Sequence, residues 1–189
     1  MKDNLLYKIL RPLITFVFKI LVRPKFIGLE NIPKKGRVIL AGNHTSIFDA
    51  PLLISSTKRN VHFLAKKELW KWPKRIIFGH LGLIPVDRKS RDGNALITAE
   101  RYLKKEKLIG IFPEGTTEKE GHMLKFKKGT VKMAIDTNSP IVPFVITGKY
   151  KLFSKSLTIK FLEPIKCNGD IKEETDRLMN IIKKERGKE

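Results

Sequence analysis

The chain has 189 residues, a single cysteine and a formal charge of +20, with 39 Lys and Arg against 19 Asp and Glu. That length suits one domain with a core of its own, and one cysteine, Cys167, excludes an internal disulfide and fits a reducing compartment. The charge favours polyanionic partners: an anionic membrane surface, phosphorylated substrates, an acidic carrier protein or nucleic acid.

Residues 1–24 read as an amphipathic membrane-association segment. In "LLYKILRPLITFVFKILV" (5–22), Lys8, Arg11, Thr15 and Lys19 recur every three or four residues and leave a wide apolar face. Three charges and too few apolar residues exclude a bilayer span. A secretory signal is not expected, because Lys19 interrupts the apolar part and no A-x-A-like site follows. The spacing predicts a helix in the membrane interface, with Phe16, Val17, Ile20 and Leu21 toward acyl chains, or alternatively a helix packed on the core. Pro12 is expected to end or kink it near Arg11.

Residues 25–189 read as one α/β domain. Apolar runs of strand length stand at 37–42, 61–65, 81–86, 108–113, 140–146 and 156–162, and helical periodicity at 94–107, 129–138 and 171–185. Strands alternating with amphipathic helices predict a mostly parallel central sheet with helices on both faces. Ligands of such sheets bind beyond the carboxyl ends of the strands, where "GNHTSIFD", "DRKSRDG" and "PEGTTEKEG" fall.

"NHTSIFDAP" (43–51) carries two readings. His44 five residues before Asp49 suits a general base held by a carboxylate. Ser46 three residues before Asp49 suits a helix start resembling a capping box. The two are compatible. With no G-x-S-x-G, and with Cys167 far down the chain, the nucleophile falls to a substrate hydroxyl that His44 deprotonates. Backbone N–H groups near the helix start would hold the resulting oxyanion. In "FPEGTTE" (112–118), Gly115 permits close backbone approach, while Glu114 and the threonine hydroxyls suit a polyol. Arg88, Lys66, Lys125, Lys127 and Lys128 are candidate phosphate contacts. The four histidines are too scattered for a metal site. Trp70 and Trp72 among lysines suit a membrane interface.

Together these segments resemble the 1-acylglycerol-3-phosphate acyltransferase family, within the wider glycerophospholipid acyltransferases. "NHTSIFD", "GLIPVDR", "FPEGTTE" and "IVPFVI" are similar to its four blocks, in order, over roughly residues 25–165. The resemblance implies acyl transfer from acyl-CoA or acyl-carrier protein to a lysophospholipid, with His44 as base and Asp49 as its partner. It implies Arg88, Glu114, Gly115 and Thr116 around the acceptor's phosphate and glycerol, and no cofactor beyond the thioester. It places the protein peripherally or monotopically on the cytoplasmic face of the cell membrane. One departure bears on the acceptor: Thr117 and Glu118 stand where the family's third block has arginine and serine. Either Lys119 or Lys125 compensates, or the acceptor is another lysophospholipid, hydroxyl or amine compound. A non-catalytic module for anionic membranes is the rival reading. Specific nucleic-acid binding is not expected, because no recognition motif accompanies the charge.

Overall fold

The computed structural model describes residues 5–67, 83–86, 94–118 and 121–188. Helix α1 (Leu5–Val17) passes through a π-helical turn (Phe18–Val22) into β1 (Lys25–Ile27). Then follow β2 (Val38–Gly42), α2 (Asp49–Ser56), β3 (Val61–Lys66), β4 (Ile84–Val86), α3 (Asn94–Lys104), β5 (Leu108–Ile111), α4 (Gly129–Thr137), β6 (Ile141–Thr147), β7 (Thr158–Phe161) and α5 (Ile171–Arg186).

The strands form one sheet in the order β1-β7-β6-β2-β5-β3-β4. Every neighbouring pair is parallel except β6 with β7. This is the mostly parallel α/β architecture expected. Its two faces are legible in β2, where side chains alternate across the sheet. Val38 and Leu40 join a core with Tyr7, Phe18, Leu52 and Leu53, under α1 and α2. Ile39 and Ala41 join a second core with Leu103, Ala134, Leu178 and Ile182, under α3, α4 and α5. Each fully buried Leu or Ile contributes about 1.5–3 kcal/mol.

Two sequence expectations need correction. Helix α1 does not end at Arg11; Pro12 lies inside it. Proline removes one backbone donor from the helix, and tertiary packing offsets that loss. Buried Tyr7 donates its hydroxyl to Arg59 O (3.0 Å) and accepts from Val61 N (3.2 Å), while Phe18 is buried at the far end. The second correction concerns α2, which starts at Asp49 behind Phe48 and not at a Ser46 cap. The turn before it closes first, through Asp49 N to Ser46 O (3.0 Å).

Pro143 sits in the central strand β6, where proline is unusual. It stands just past the last β6–β7 pair, Phe144 with Phe161, and its carbonyl accepts Leu162 N (2.8 Å). Its missing N–H therefore falls where the ladder ends.

Candidate active site

The site begins where β2 stops. Gly42 is dictated by packing: a Cβ there would stand 2.3 Å from both the Phe144 ring and the Phe144 carbonyl oxygen. Asn43 then replaces the strand ladder with its side chain. Its amide donates to Ile146 O (2.9 Å), and its oxygen accepts from Ile146 N (2.8 Å), in full burial. This clamp fixes the point at which the chain leaves the sheet and presents His44.

His44 is held on all sides. Its backbone N–H donates to Glu114 Oε1 (2.9 Å) and its carbonyl accepts from Glu118 N (2.7 Å). Its ring stacks on Phe112 at 4.1 Å between centroids, with 13° between planes. Nδ1 lies 2.8 Å from Asp49 Oδ2. Opposite an ionised carboxylate, which only accepts, Nδ1 is the ring nitrogen that donates, and Nε2 is the one that Asp49 does not engage.

Asp49 is fully buried and collects five hydrogen bonds. Oδ2 receives His44 Nδ1, Thr45 N (2.6 Å) and Ser46 N (2.9 Å). Oδ1 receives the hydroxyls of Thr45 (3.1 Å) and Tyr150 (2.5 Å). Burial and the neighbouring Asp49 charge push the Tyr150 hydroxyl far above its usual range, so it remains a donor. The bond from Asp49 back to Ser46 N is the half of a capping box that the sequence suggested. Of the backbone N–H groups near the helix start, those of Thr45, Ser46, Phe48 and Asp49 have partners within the loop.

Glu114 is buried too. Oε1 takes His44 N and Oε2 takes Leu124 N (2.7 Å). Desolvation pushes its carboxyl upward, and those two N–H groups act against the shift. Both oxygens thus brace the loops that carry His44 and Leu124. Gly115 has φ +73°, and a Cβ on it would lie 2.6 Å from Lys127 Nζ. Glycine lets the lysine side chain cross the turn.

A cavity of about 310 Å³ opens beside His44. Its apolar wall is Leu64, Ala65, Val86, Leu96, Ile111 and Phe112; Gly115, Lys127, Gly129 and Thr130 complete it. The ends of β3, β4 and β5 therefore meet His44 at one edge of the sheet, with the first turn of α4. Of the sequence candidates, His44, Asp49, Glu114, Gly115 and Lys127 come together. Thr116 and Lys125 are exposed and do not line the cavity. Arg88, Trp70, Trp72, Lys119, the "DRKSRDG" loop and the Lys66 side chain lie outside the described residues. Asn43 and Tyr150 were not anticipated; only the place of Asn43 beside His44 hinted at a role. Cys167 sits in the second core, and burial raises its thiol to about 11, which leaves it protonated near neutrality.

A mostly parallel α/β sheet thus carries a histidine–carboxylate pair at its carboxyl edge, beside a largely apolar cavity. Residues 23–147 match the family model described as Acyltransferase, and the chain belongs to that family. It is 36% identical over 133 residues to a 1-acyl-sn-glycerol-3-phosphate acyltransferase of Borreliella burgdorferi, covering 69% of this chain and 53% of that protein. It is 31% identical over 161 residues to the protein of the same description from Cocos nucifera, covering 77% and 51%. The chain thus spans about half the length of these curated relatives. The crystal structure of the 1-acyl-sn-glycerophosphate (LPA) acyltransferase PlsC from Thermotoga maritima superposes with a TM-score of 0.77 at 27% identity, covering 97% of this chain and 77% of that one.

Proposed function

We propose that this protein transfers a fatty acyl group from acyl-CoA or acyl-carrier protein to the free hydroxyl of 1-acylglycerol-3-phosphate, giving phosphatidic acid. The observation that carries the reading is His44, fixed by buried Asp49, at the wall of a cavity whose other walls are mostly apolar. The names of the relatives support the acceptor.

His44 Nε2 takes the proton of the acceptor hydroxyl as its oxygen attacks the thioester carbonyl. The tetrahedral intermediate then collapses, the carbon–sulfur bond breaks, and the imidazolium returns its proton to the leaving thiolate. Asp49 stabilises the charged ring in between. Lys127 is the only Lys or Arg lining the cavity among the described residues. It is the cation we assign to the acceptor phosphate, in place of the arginine that Thr117 lacks. The apolar wall suits an acyl chain.

We place the reaction at a membrane surface, with the protein peripheral on the cytoplasmic face. None of the described helices is long and apolar enough to cross a membrane. On α1 and its π turn, Tyr7, Ile14 and Phe18 face the core, while Ile9, Leu13, Phe16 and Ile20 form an exposed apolar stripe at helical spacing.

The test is thiol release from palmitoyl-CoA in mixed detergent micelles, with and without lysophosphatidic acid. Release should require the acceptor and fall at least about 100-fold in His44→Ala. A second reading, acylation of a different lysophospholipid, is motivated by Thr117, and an acceptor panel separates the two. Release untouched by His44→Ala would overturn the mechanism. Silence with both thioesters and every acceptor would favour a membrane-binding module without turnover.

A further inference from the structure

The loop between β6 and β7 carries features that acyl transfer does not use. At its tip Leu152 and Phe153 are 68% and 62% exposed. Phe153 is held at φ +57°, a left-handed conformation that bulky residues rarely adopt. Such strain persists only where the surroundings impose it, and it marks functional positions. Here Phe153 N donates to Leu21 O (2.5 Å), and Arg23 lies over the Phe153 ring at 5.8 Å. The chain thus spends backbone strain to display an apolar ring to solvent.

The surroundings identify what would cover that ring. Lys149, Lys151 and Lys155 are exposed around the tip, and no acidic residue occurs from Lys149 to Lys160. Basic side chains ringing exposed Leu and Phe match an anionic bilayer, with cations at the headgroups and apolar tips below them. The tip is also continuous with the catalytic loop. Phe48 contacts Tyr150 at 5.8 Å between centroids, and Ile47 and Phe48, lying between His44 and Asp49, are exposed. Tyr150 in turn meets Phe18 of the π turn at 6.5 Å.

We propose that the β6–β7 loop is a second membrane anchor, in which Leu152 and Phe153 enter the interface of an anionic bilayer beside the α1 stripe. The inference rests on the reading that the protein works at a membrane surface, but it does not depend on turnover. Two contacts, one from the α1 stripe and one from the loop whose Tyr150 touches Phe48, would hold the segment bearing His44 and Asp49 against the lipid.

The test uses the full chain with Cys167→Ala and an environment-sensitive NBD probe on Phe153→Cys. A second probe sits on Lys104→Cys of α3, across the sheet from α1. On phosphatidylcholine–phosphatidylglycerol vesicles, the probe at 153 should shift to the blue and be quenched by lipids spin-labelled in the acyl chain, while the probe at 104 stays unchanged. In the otherwise native chain, Leu152→Ser with Phe153→Ser should weaken vesicle partitioning by roughly tenfold or more. Phe153→Gly keeps the experiment independent of misfolding. It should raise the thermal midpoint by relieving the strain, and still weaken partitioning. A protein that binds vesicles while the probe at 153 stays silent would overturn the proposal and leave α1 as the sole anchor. A response at 153 to acyl-carrier protein without lipid would also overturn it, assigning the surface to the donor. Thiol release in detergent micelles reports on acyl transfer separately, so either reading can fail without the other.

Discussion

Replacing Asp49 by Asn separates its charge from its hydrogen bonds. Oδ2 meets three N–H donors, from His44, Thr45 and Ser46, whereas Oδ1 meets only the hydroxyls of Thr45 and Tyr150. An Asn side chain must therefore place its oxygen at the Oδ2 position. Its amide nitrogen then faces two hydroxyls that can rotate to accept. The fold should lose about 1 kcal/mol, a fall of roughly 2–4 °C in the thermal midpoint for a domain of this size. Asp49→Ala strands two partly buried backbone N–H groups, at about 1–3 kcal/mol each, and should unfold some 5–20 °C lower. Activity should separate the variants in the other direction. A unit charge about 4 Å from the imidazolium is worth about 4 kcal/mol at an effective dielectric constant near 20, so Asp49→Asn should lower kcat about 10³-fold while the protein stays folded. The assay is acceptor-dependent thiol release beside a melting curve. A folded Asp49→Asn within tenfold of the parent would refute the assignment of Asp49 as the electrostatic partner of His44. A variant as unstable as Asp49→Ala would refute the account of the rotating hydroxyls.

Tyr150→Phe removes one of the two donors to Asp49 Oδ1 and should lower kcat about tenfold with little change in KM; initial rates over a range of acceptor concentrations check it. Lys127→Gln should raise KM for lysophosphatidate about tenfold or more and leave a phosphate-free acceptor unaffected. Arg186→Leu strands the Glu118 carboxylate, which now receives both guanidinium nitrogens at 2.6 and 2.9 Å. It should cost about 2–3 kcal/mol, and the double variant with Glu118→Leu should regain part of that in denaturant titrations. Asp170 caps α5, and the N–H groups of Glu173 and Lys172 hold its carboxyl below the usual range. A lowered folded value means stability present above the unfolded pKa and lost as pH falls through the folded one. The midpoint difference between the parent and Asp170→Ala should thus be full at pH 7, shrink below about pH 4 and vanish in stronger acid.

The central strands were legible because burial on both faces leaves continuous apolar runs, as in "VILAG" and "IVPFVI". Edge strand β1 was not: three residues, one exposed and two half-buried, paired only with β7, carry no period to read. His44 and Asp49 were legible because they stand only five positions apart in the chain. Tyr150 was hidden because it reaches Asp49 across 101 residues, by the β2–β6 pairing. Lys127 and Lys125 looked equivalent in "KFKKG". The Lys127 N–H bond to Pro113 O and the crossing at Gly115 bring only the former to the cavity.

The substitutions at Thr117 and Glu118 show how a local departure acquires meaning from distant residues. By charge alone, Glu118 should repel a phosphate in the third block. Its carboxylate is instead engaged by Arg186 of α5, which also donates to Gly121 O (3.2 Å), while its backbone N–H holds the carbonyl of His44. The negative charge is thereby neutralised within the protein, and α5 is joined to the loop that carries His44. Among the described residues, Lys127 is the only Lys or Arg lining the cavity. A phosphorylated acceptor is therefore compatible with a third block that has lost its arginine, because the opposing carboxylate already has a partner.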